Sequence, residues 1–333
     1  MKNYFKVKHL VALIGLVFFV AACSDDDPVV ITPPIDPPAV VPDIAETAIA
    51  TEDLSSLVAA LQRASLVETV KGDGPFTVFA PTNEAFAAFL TANGFATLDD
   101  VPVDMLTEVL LNHVVAGENL STSLSTGYIS SSSTAGVDGK ALSLYVDTSD
   151  GVKINGSTVT AADVEASNGV VHIVDKVIGL PTIVDHAVNN AALSTLVSLL
   201  TADDDTTFTD ILSNTEEKYT VLAPINDGFT AFMNDNNNEI ANVLSNHVIV
   251  GSALAAGDLS NTYVNTFAKN TDGDFLSLYV NTDDGVKFNG GNSVAIADIV
   301  ATNGIVHAVT EVIDLPTVVT FAAADPNFTT LVE

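Results

Sequence analysis

The residues of this chain that could do chemistry are few, and their spacing suits little of it. The 333 residues hold 42 Asp+Glu but only 6 His and 1 Cys. Zinc needs His and Cys at ligand spacing, and there is neither an H-E-x-x-H run nor a second Cys. His172 and His307 stand inside apolar runs, Val170-Val171-His172-Ile173-Val174 and Ile305-Val306-His307, which predicts strand positions in a core or at its edge. Asp147-Thr148-Ser149-Asp150-Gly151 and Thr282-Asp283-Asp284-Gly285 offer oxygen ligands. They lack the alternating acidic series and the distal Glu of a calcium loop, so they read as hairpin turns. Asp203-Asp204-Asp205 reads as a solvated loop. There is no G-x-S-x-G elbow, no P-loop and no C-x-x-C. Among 42 carboxylates some pair will fall at the roughly 5–9 Å of a glycosidase by chance, and nothing nominates one. The expectation is a protein that is not an enzyme, with no catalytic residue, no metal and no cofactor.

The single cysteine is informative through its position. Lys2, Lys6 and Lys8 precede an apolar run from Leu10 to Val20, followed by small residues and Cys23. A run of about a dozen residues is too short to span a bilayer and suits the core of a signal peptide. Val20-Ala21-Ala22-Cys23 resembles a bacterial lipobox, with Val20 where Leu is commonest. An ordinary cleavage site after small residues is the alternative. The first reading makes 1–22 a lipoprotein signal peptide and Cys23 the lipidated residue, where each buried CH₂ is worth about 0.8 kcal/mol of anchoring. Ser24-Asp25-Asp26-Asp27 resembles the acidic signal that sends lipoproteins to the outer leaflet of the outer membrane; a solvated charge run is the alternative. Six of the 13 prolines lie in residues 28–42, a polyproline spacer that could reach on the order of 45 Å. Residues 23–43 are therefore read as a lipidated Cys with an acidic, Pro-rich linker. The protein is expected to be exported, anchored to the outer membrane by lipid alone and exposed at the cell surface.

Composition bounds the partners. Without the first ten residues, 8 bases face 42 acids. Such a surface repels phosphate backbones and excludes nucleic acid as a partner. A hydrophobic share of 47% with no Trp fills ordinary cores from aliphatic residues and Phe, which is incompatible with global disorder.

The chain repeats itself. Ser143-Leu144-Tyr145-Val146 returns as Ser277-Leu278-Tyr279-Val280, and Asn168-Gly169-Val170-Val171-His172 as Asn303-Gly304-Ile305-Val306-His307. Thr77-Val78-Phe79-Ala80-Pro81 returns as Thr220-Val221-Leu222-Ala223-Pro224 at a spacing larger by nine, so the second copy lacks about nine residues between Leu90 and Asn112. The run from Val318 to Val332 parallels Ile183 to Val197 and reads as the opening of a third copy. A unit of about 135 residues is a whole domain with its own core.

Each unit is mixed. Leu193, Leu196, Val197 and Leu200 have helical spacing. Thr77-Val78-Phe79 reads as a strand stopped at Pro81, followed by a helix capped near Thr82 or Asn83 that buries Phe86, Phe89 and Leu90. Ala141 to Val146 and Gly151 to Asn155 predict a hairpin, and Val170 to Val174 a buried strand. Helices come early and strands late, an α+β pattern.

These strings resemble the fasciclin (FAS1) domain. Thr77 to Phe86 is similar to the family's first signature, and Asn168 to Ile178 followed by Leu180-Pro181 to its second. Between them the family carries a Tyr-His or Asn-His pair, here Asn112-His113 and Asn246-His247. Ile225 and Gly228 depart from Thr82 and Ala85 of the first copy. The resemblance implies two tandem wedge-like β-sandwiches with helices on one side, 44–181 and 182–317, with 318–333 as the truncated third. It also implies adhesion through an extracellular protein, matrix or polysaccharide partner. Under it the two Asn-His pairs are candidate contact residues. The other reading makes each His an internal brace from a helix end to a strand. Glycan capture for nutrient uptake and a passive spacer are the alternative functions.

Overall fold

The computed structural model describes residues 41–202, 207–234 and 240–332. Segment 1–22, Cys23, the linker up to residue 40 and Asp203 to Asp205 lie outside the described residues.

The first module starts at a capped helix. Asp43 accepts from Glu46 N–H (2.8 Å) while Glu46 accepts from Asp43 N–H (3.1 Å), a reciprocal cap that fixes the chain's entry. Helices α1 (Ile44–Ala50), α2 (Ser55–Arg63) and α3 (Val67–Val70) lead into strand β1 (Phe76–Pro81). Thr82 Oγ1 accepts from Ala85 N–H and caps α4 (Asn83–Ala92); α5 (Val103–Leu111) comes next. The remaining strands are β2 (Val114–Ala116), β3 (Gly127–Ser130), β4 (Ser143–Asp147), β5 (Lys153–Ile154), β6 (Ser157–Ala166) and β7 (Gly169–Val174). They form a seven-stranded sheet in the order β2-β1-β7-β6-β5-β4-β3. β1 and β7 pair in parallel and the other neighbours are antiparallel.

Side-chain alternation along the strands divides the core in two. Val78, Ala80, Val114 and Val171 face α1, α2 and α5 through Ile44, Leu57 and Leu110. Phe79, Val115 and Val174 face the other way, onto Leu144, Val146 and Ile154 of β4 and β5. Helices on one side and a folded-over sheet on the other make the module an α+β sandwich. Strand β6 makes the fold possible: its register against β7 slips twice between Val159 and Val164, and bulges of this kind bend a strand.

The second module repeats this with α6 (Ile183–Asn189), α7 (Ser194–Leu200), α8 (Thr207–Ser213), β8 (Tyr219–Pro224), α9 (Gly228–Asn234), α10 (Ile240–Ser245) and β9 (Val248–Val250). Strands β10 (Thr262–Lys269), β11 (Phe275–Asn281), β12 (Lys287–Phe288), β13 (Asn292–Val300) and β14 (Gly304–Val309) complete it, in the order β10-β11-β12-β13-β14-β8-β9. The helix expected from Leu193 onward is α7, and α6 precedes it, which the Leu spacing did not foresee.

The departure at Gly228 has a steric cause. A Cβ there would lie 2.7 Å from Thr310 O and 2.8 Å from Glu311 Cα, so the alanine of the first copy does not fit. The missing nine residues are lost from the stretch that holds α9 and α10, which are shorter than α4 and α5 and joined by a shorter link. In the first module that stretch holds a turn tied down by Arg63, whose guanidinium donates to Asp99 O (2.7 Å) and Val101 O (2.9 Å).

The segment after the second module forms α11 (Val318–Ala324) and α12 (Thr329–Val332), with Thr317 as N-cap. It repeats α6 and α7 in form but not in burial. Ile183 and Leu196 are 2% and 5% exposed beneath their own sheet, whereas Val318 and Leu331, the matching residues, are 83% and 73% exposed.

Candidate functional site

The Asn-His pairs sit where a helix hands over to a short strand. In the first module, α5 ends at Asn112 and the chain turns into β2. His113 is buried and uses both ring nitrogens: Nδ1–H donates to Val109 O (2.7 Å), and Nε2 accepts from Ile178 N–H (2.8 Å). Asn112 Nδ2 donates to Gly179 O (2.7 Å). Together they tie the last turn of α5 to the strand-free segment that leaves the sheet after β7. The second module repeats the geometry. His247 Nδ1–H donates to Val243 O (2.8 Å), Nε2 accepts from Ile313 N–H (2.8 Å), and Asn246 Nδ2 donates to Asp314 O (3.1 Å). These bonds require a neutral imidazole, and burial pushes both His113 and His247 down to about 4 from 6.5. One difference separates the copies. Asn246 Oδ1 accepts from Thr266 Oγ1 (3.0 Å), while Asn112 Oδ1 is buried without a hydrogen-bond partner among the described residues.

His172 and His307 perform a different task. His172 lies on β7 with its ring stacked on Phe79 at 5.6 Å. Its Nε2–H donates to Asn119 O (2.9 Å) and Nδ1 accepts from Asp163 N–H (3.2 Å). Asp163 has φ of 59° at the β6 bulge, a left-handed conformation that Asp tolerates better than most residues. The ring therefore pins the bulge to the loop after β2. His307 does the same between Leu254 O (2.9 Å) and Asp298 N–H (3.3 Å). Asp163 accepts in turn from Ser121 N–H (2.7 Å) and Oγ (2.5 Å), and these bonds hold its carboxyl below the usual range.

The second signature is explained by the same logic. Asn168 Oδ1 accepts from Ile44 N–H (3.0 Å), and its Nδ2 donates to Val70 O (2.9 Å) and Gly72 O (3.0 Å). Asn303 binds Ile183 N–H (3.1 Å), Leu212 O (2.6 Å) and Asn214 O (3.0 Å) likewise. The next residue must be glycine, because a Cβ on Gly169 would lie 2.0 Å from Phe76 O and one on Gly304 2.3 Å from Tyr219 O. The motif polar groups are thus braces of the fold. Among the described residues no group of three His, Cys, Asp or Glu could hold a metal ion.

The structure adds a junction between the modules that the motifs did not reveal. Tyr128 on β3 packs at a tilt against Tyr145 at 5.1 Å and meets His186 of α6 edge-on at 5.6 Å. Asn190 Nδ2 donates to its hydroxyl (3.2 Å). Burial pushes the Tyr128 phenol up to about 12 and His186 down to about 4. Ser143 Oγ accepts from Val300 N–H (2.9 Å), Val137 N–H donates to Ala301 O (2.9 Å), and Lys218 pairs with Asp138. Val137 packs with Val300 and Ile305. The second module offers the same tyrosine to the helix after it: Tyr263 packs at a tilt against Tyr279 at 5.0 Å, meets Phe321 of α11 edge-on at 5.4 Å and donates to Asp325 (2.9 Å). The recurrence of Tyr128 at Tyr263, with Asn190 and Asp325 also 135 apart, was the available sequence signal.

Two tandem α+β modules of one design, each braced by the same Asn-His and Asn-Gly motifs, define the class. The chain belongs to the fasciclin domain family: the Fasciclin domain model matches residues 52–181 and 191–316. It is 44% identical over 136 residues to Protein sll1483 of Synechocystis sp., covering 40% of this chain and 72% of that protein. It is 25% identical over 256 residues to the transforming growth factor-beta-induced protein ig-h3 of Sus scrofa, covering 73% of this chain and 35% of that one. The FAS1 domain pair of the insect cell adhesion molecule fasciclin I is similar in structure, with 20% identity and a TM-score of 0.49 over 80% of this chain and 98% of that one. The fold class is therefore two tandem FAS1 domains, in a family of adhesion and structural proteins rather than enzymes.

Proposed function

We propose that this chain is a non-enzymatic surface-binding lipoprotein that presents two FAS1 modules to an extracellular protein, matrix or polysaccharide. The observation that supports it most is the junction: polar, aromatic and apolar contacts lock one module to the next, as suits a protein that displays surface at a distance. The buried Asn112-His113 and Asn246-His247 pairs then serve binding only by holding the modules in shape. Cys23 carries the lipid, the Pro-rich linker lifts the modules from the outer membrane, and residues 318–333 open a third module. No single helix among the described residues is long and apolar enough to cross a membrane, so Cys23 is the anchor to test.

Mass spectrometry of the mature N-terminus should find Cys23 carrying lipid; an unmodified Cys23, or a mature chain beginning at another residue, would reject the anchor. For function, the soluble chain from Pro42 onward is added to cells and to a glycan array. Aggregation of cells supports adhesion. Sugar binding without aggregation replaces that reading with glycan capture, and neither result leaves a spacer.

A further inference from the structure

The two modules carry the same cleft, at the end of the sheet where β7 or β14 begins, and in one of them it is occupied. Residues 136–139 of the first module lie in the cleft of the second. Val137 hydrogen-bonds to Ala301 O (2.9 Å) and packs on Val300 and Ile305, while Asp138 pairs with Lys218 at its rim. By the repeat register, Glu165 stands where Val300 stands, Ala166 where Ala301 stands, and Pro75 where Lys218 stands. In the first module these residues line an open cleft of about 830 Å³, with Asp43, Asp73 and Glu118 and one base, Lys71, around it. The frame that holds a protein loop is thus present twice. In the first copy a glutamate stands in place of Val300, Val170 keeps the place of Ile305 apolar, and the rim carries three acids against one base.

We propose that the first module's cleft is a docking site for a loop of a partner protein carrying lysine or arginine at its tip, seated as 136–139 is seated in the second module. This rests on the contact function proposed above and names one contact. The strand end beside Ala166 offers the same backbone frame as that beside Ala301, and a cation at the tip would lie against Glu165, with three more carboxylates outweighing the single base Lys71 around it. Opposite charges at a solvent-exposed rim give orientation and on-rate more than affinity. The 136–139 loop of a second copy is not the occupant: its tip is Val137-Asp138, which sets an apolar and an acidic side chain against Glu165, and the loop is already engaged in its own junction. Nor do these acids gather into a group able to hold a metal ion.

The test uses the soluble two-module chain and two synthetic peptides. One has the sequence of residues 133–142; the other differs by Val137→Lys and Asp138→Asn. Amide resonances of Gly72, Gly74, Glu165 and Gly169 report the cleft. The lysine peptide should shift them and bind about threefold better than the native-sequence peptide, the worth of an exposed ion pair. Glu165→Val should reverse the preference, because it recreates the floor of the second module's cleft. Glu165 is exposed, so the variant should fold; Glu165→Gln, which should abolish the preference without reversing it, is the control of equal shape. Unmoved cleft amides, or a lysine peptide that binds the Glu165→Val variant as well as the parent, would overturn the proposal. Cell aggregation is read separately, so loss of the peptide result leaves the broader function standing or falling on its own assay.

Discussion

Replacing His113 with Ala gives the sharpest test of the brace. The substitution removes a buried ring, strands Ile178 N–H without its acceptor and frees Val109 O at the end of α5. A buried donor left unpaired costs about 1–3 kcal/mol. Deleting a buried side chain that the surroundings cannot refill adds roughly 2 kcal/mol more. The sum is about 3–5 kcal/mol, close to a third of a typical domain's stability. For a module of this size that lowers the melting midpoint by on the order of 10 °C, measurable by calorimetry. Binding by the still-folded protein should be unchanged at lower temperature. An unaltered midpoint with lost adhesion would refute the brace and restore His113 as a contact residue. The pH dependence gives a second, independent reading. The unfolded chain takes up a proton at His113 below about 6.5, the folded module only below about 4, so burial of the neutral ring makes unfolding easier in acid. The His113 contribution is complete above pH 6.5 and is lost as pH falls from 6.5 to 4, by about 3 kcal/mol in all. His247 and His186 lose stability in the same window. Protonation of the 42 acids relieves charge repulsion toward the acid end and partly offsets it. The comparison of His113→Ala with the parent cancels that common background. The parent should lose more stability than the variant between pH 6.5 and 4, and parallel curves would contradict a buried neutral ring.

Three other outcomes rest on particular contacts. Thr266→Val leaves Asn246 Oδ1 as bare as Asn112 Oδ1 already is, and should destabilise the second module by about 1–2 kcal/mol in denaturant unfolding. Val137→Asp places a charge among Val300 and Ile305; it should separate the modules, seen as a broadened distance distribution in solution scattering while each module keeps its circular dichroism. Gly228→Ala drives a Cβ against Thr310 O and Glu311 Cα and should cost about 1–3 kcal/mol, although alanine favours a helix elsewhere.

The repeat, the α+β character and the motif positions were legible in the amino-acid order, because each is a local property. Thr82 caps a helix and Pro81 stops a strand wherever they occur, and the near-continuous apolar run of Val170 to Val174 marks a buried strand before any partner is known. The hairpin at Asp147 to Gly151 was legible for the same reason: Asp147 accepts from Ser149 N–H two residues on (2.9 Å). The partners of the Asn-His pairs depend on long-range packing and were not legible. Nothing near Asn112 and His113 in the chain shows that Gly179 and Ile178, more than sixty residues away, arrive at their side chains. The junction was hidden for a related reason. Tyr128, Ser143, His186 and Val300 belong to separate elements of two modules, and none is unusual in its own neighbourhood. Only their convergence shows that β3 and β4 of one module hold the first helix of the next. The contrast between Val300 and Glu165 likewise means nothing along the chain, and acquires meaning once one is seen beneath a loop and the other open to solvent.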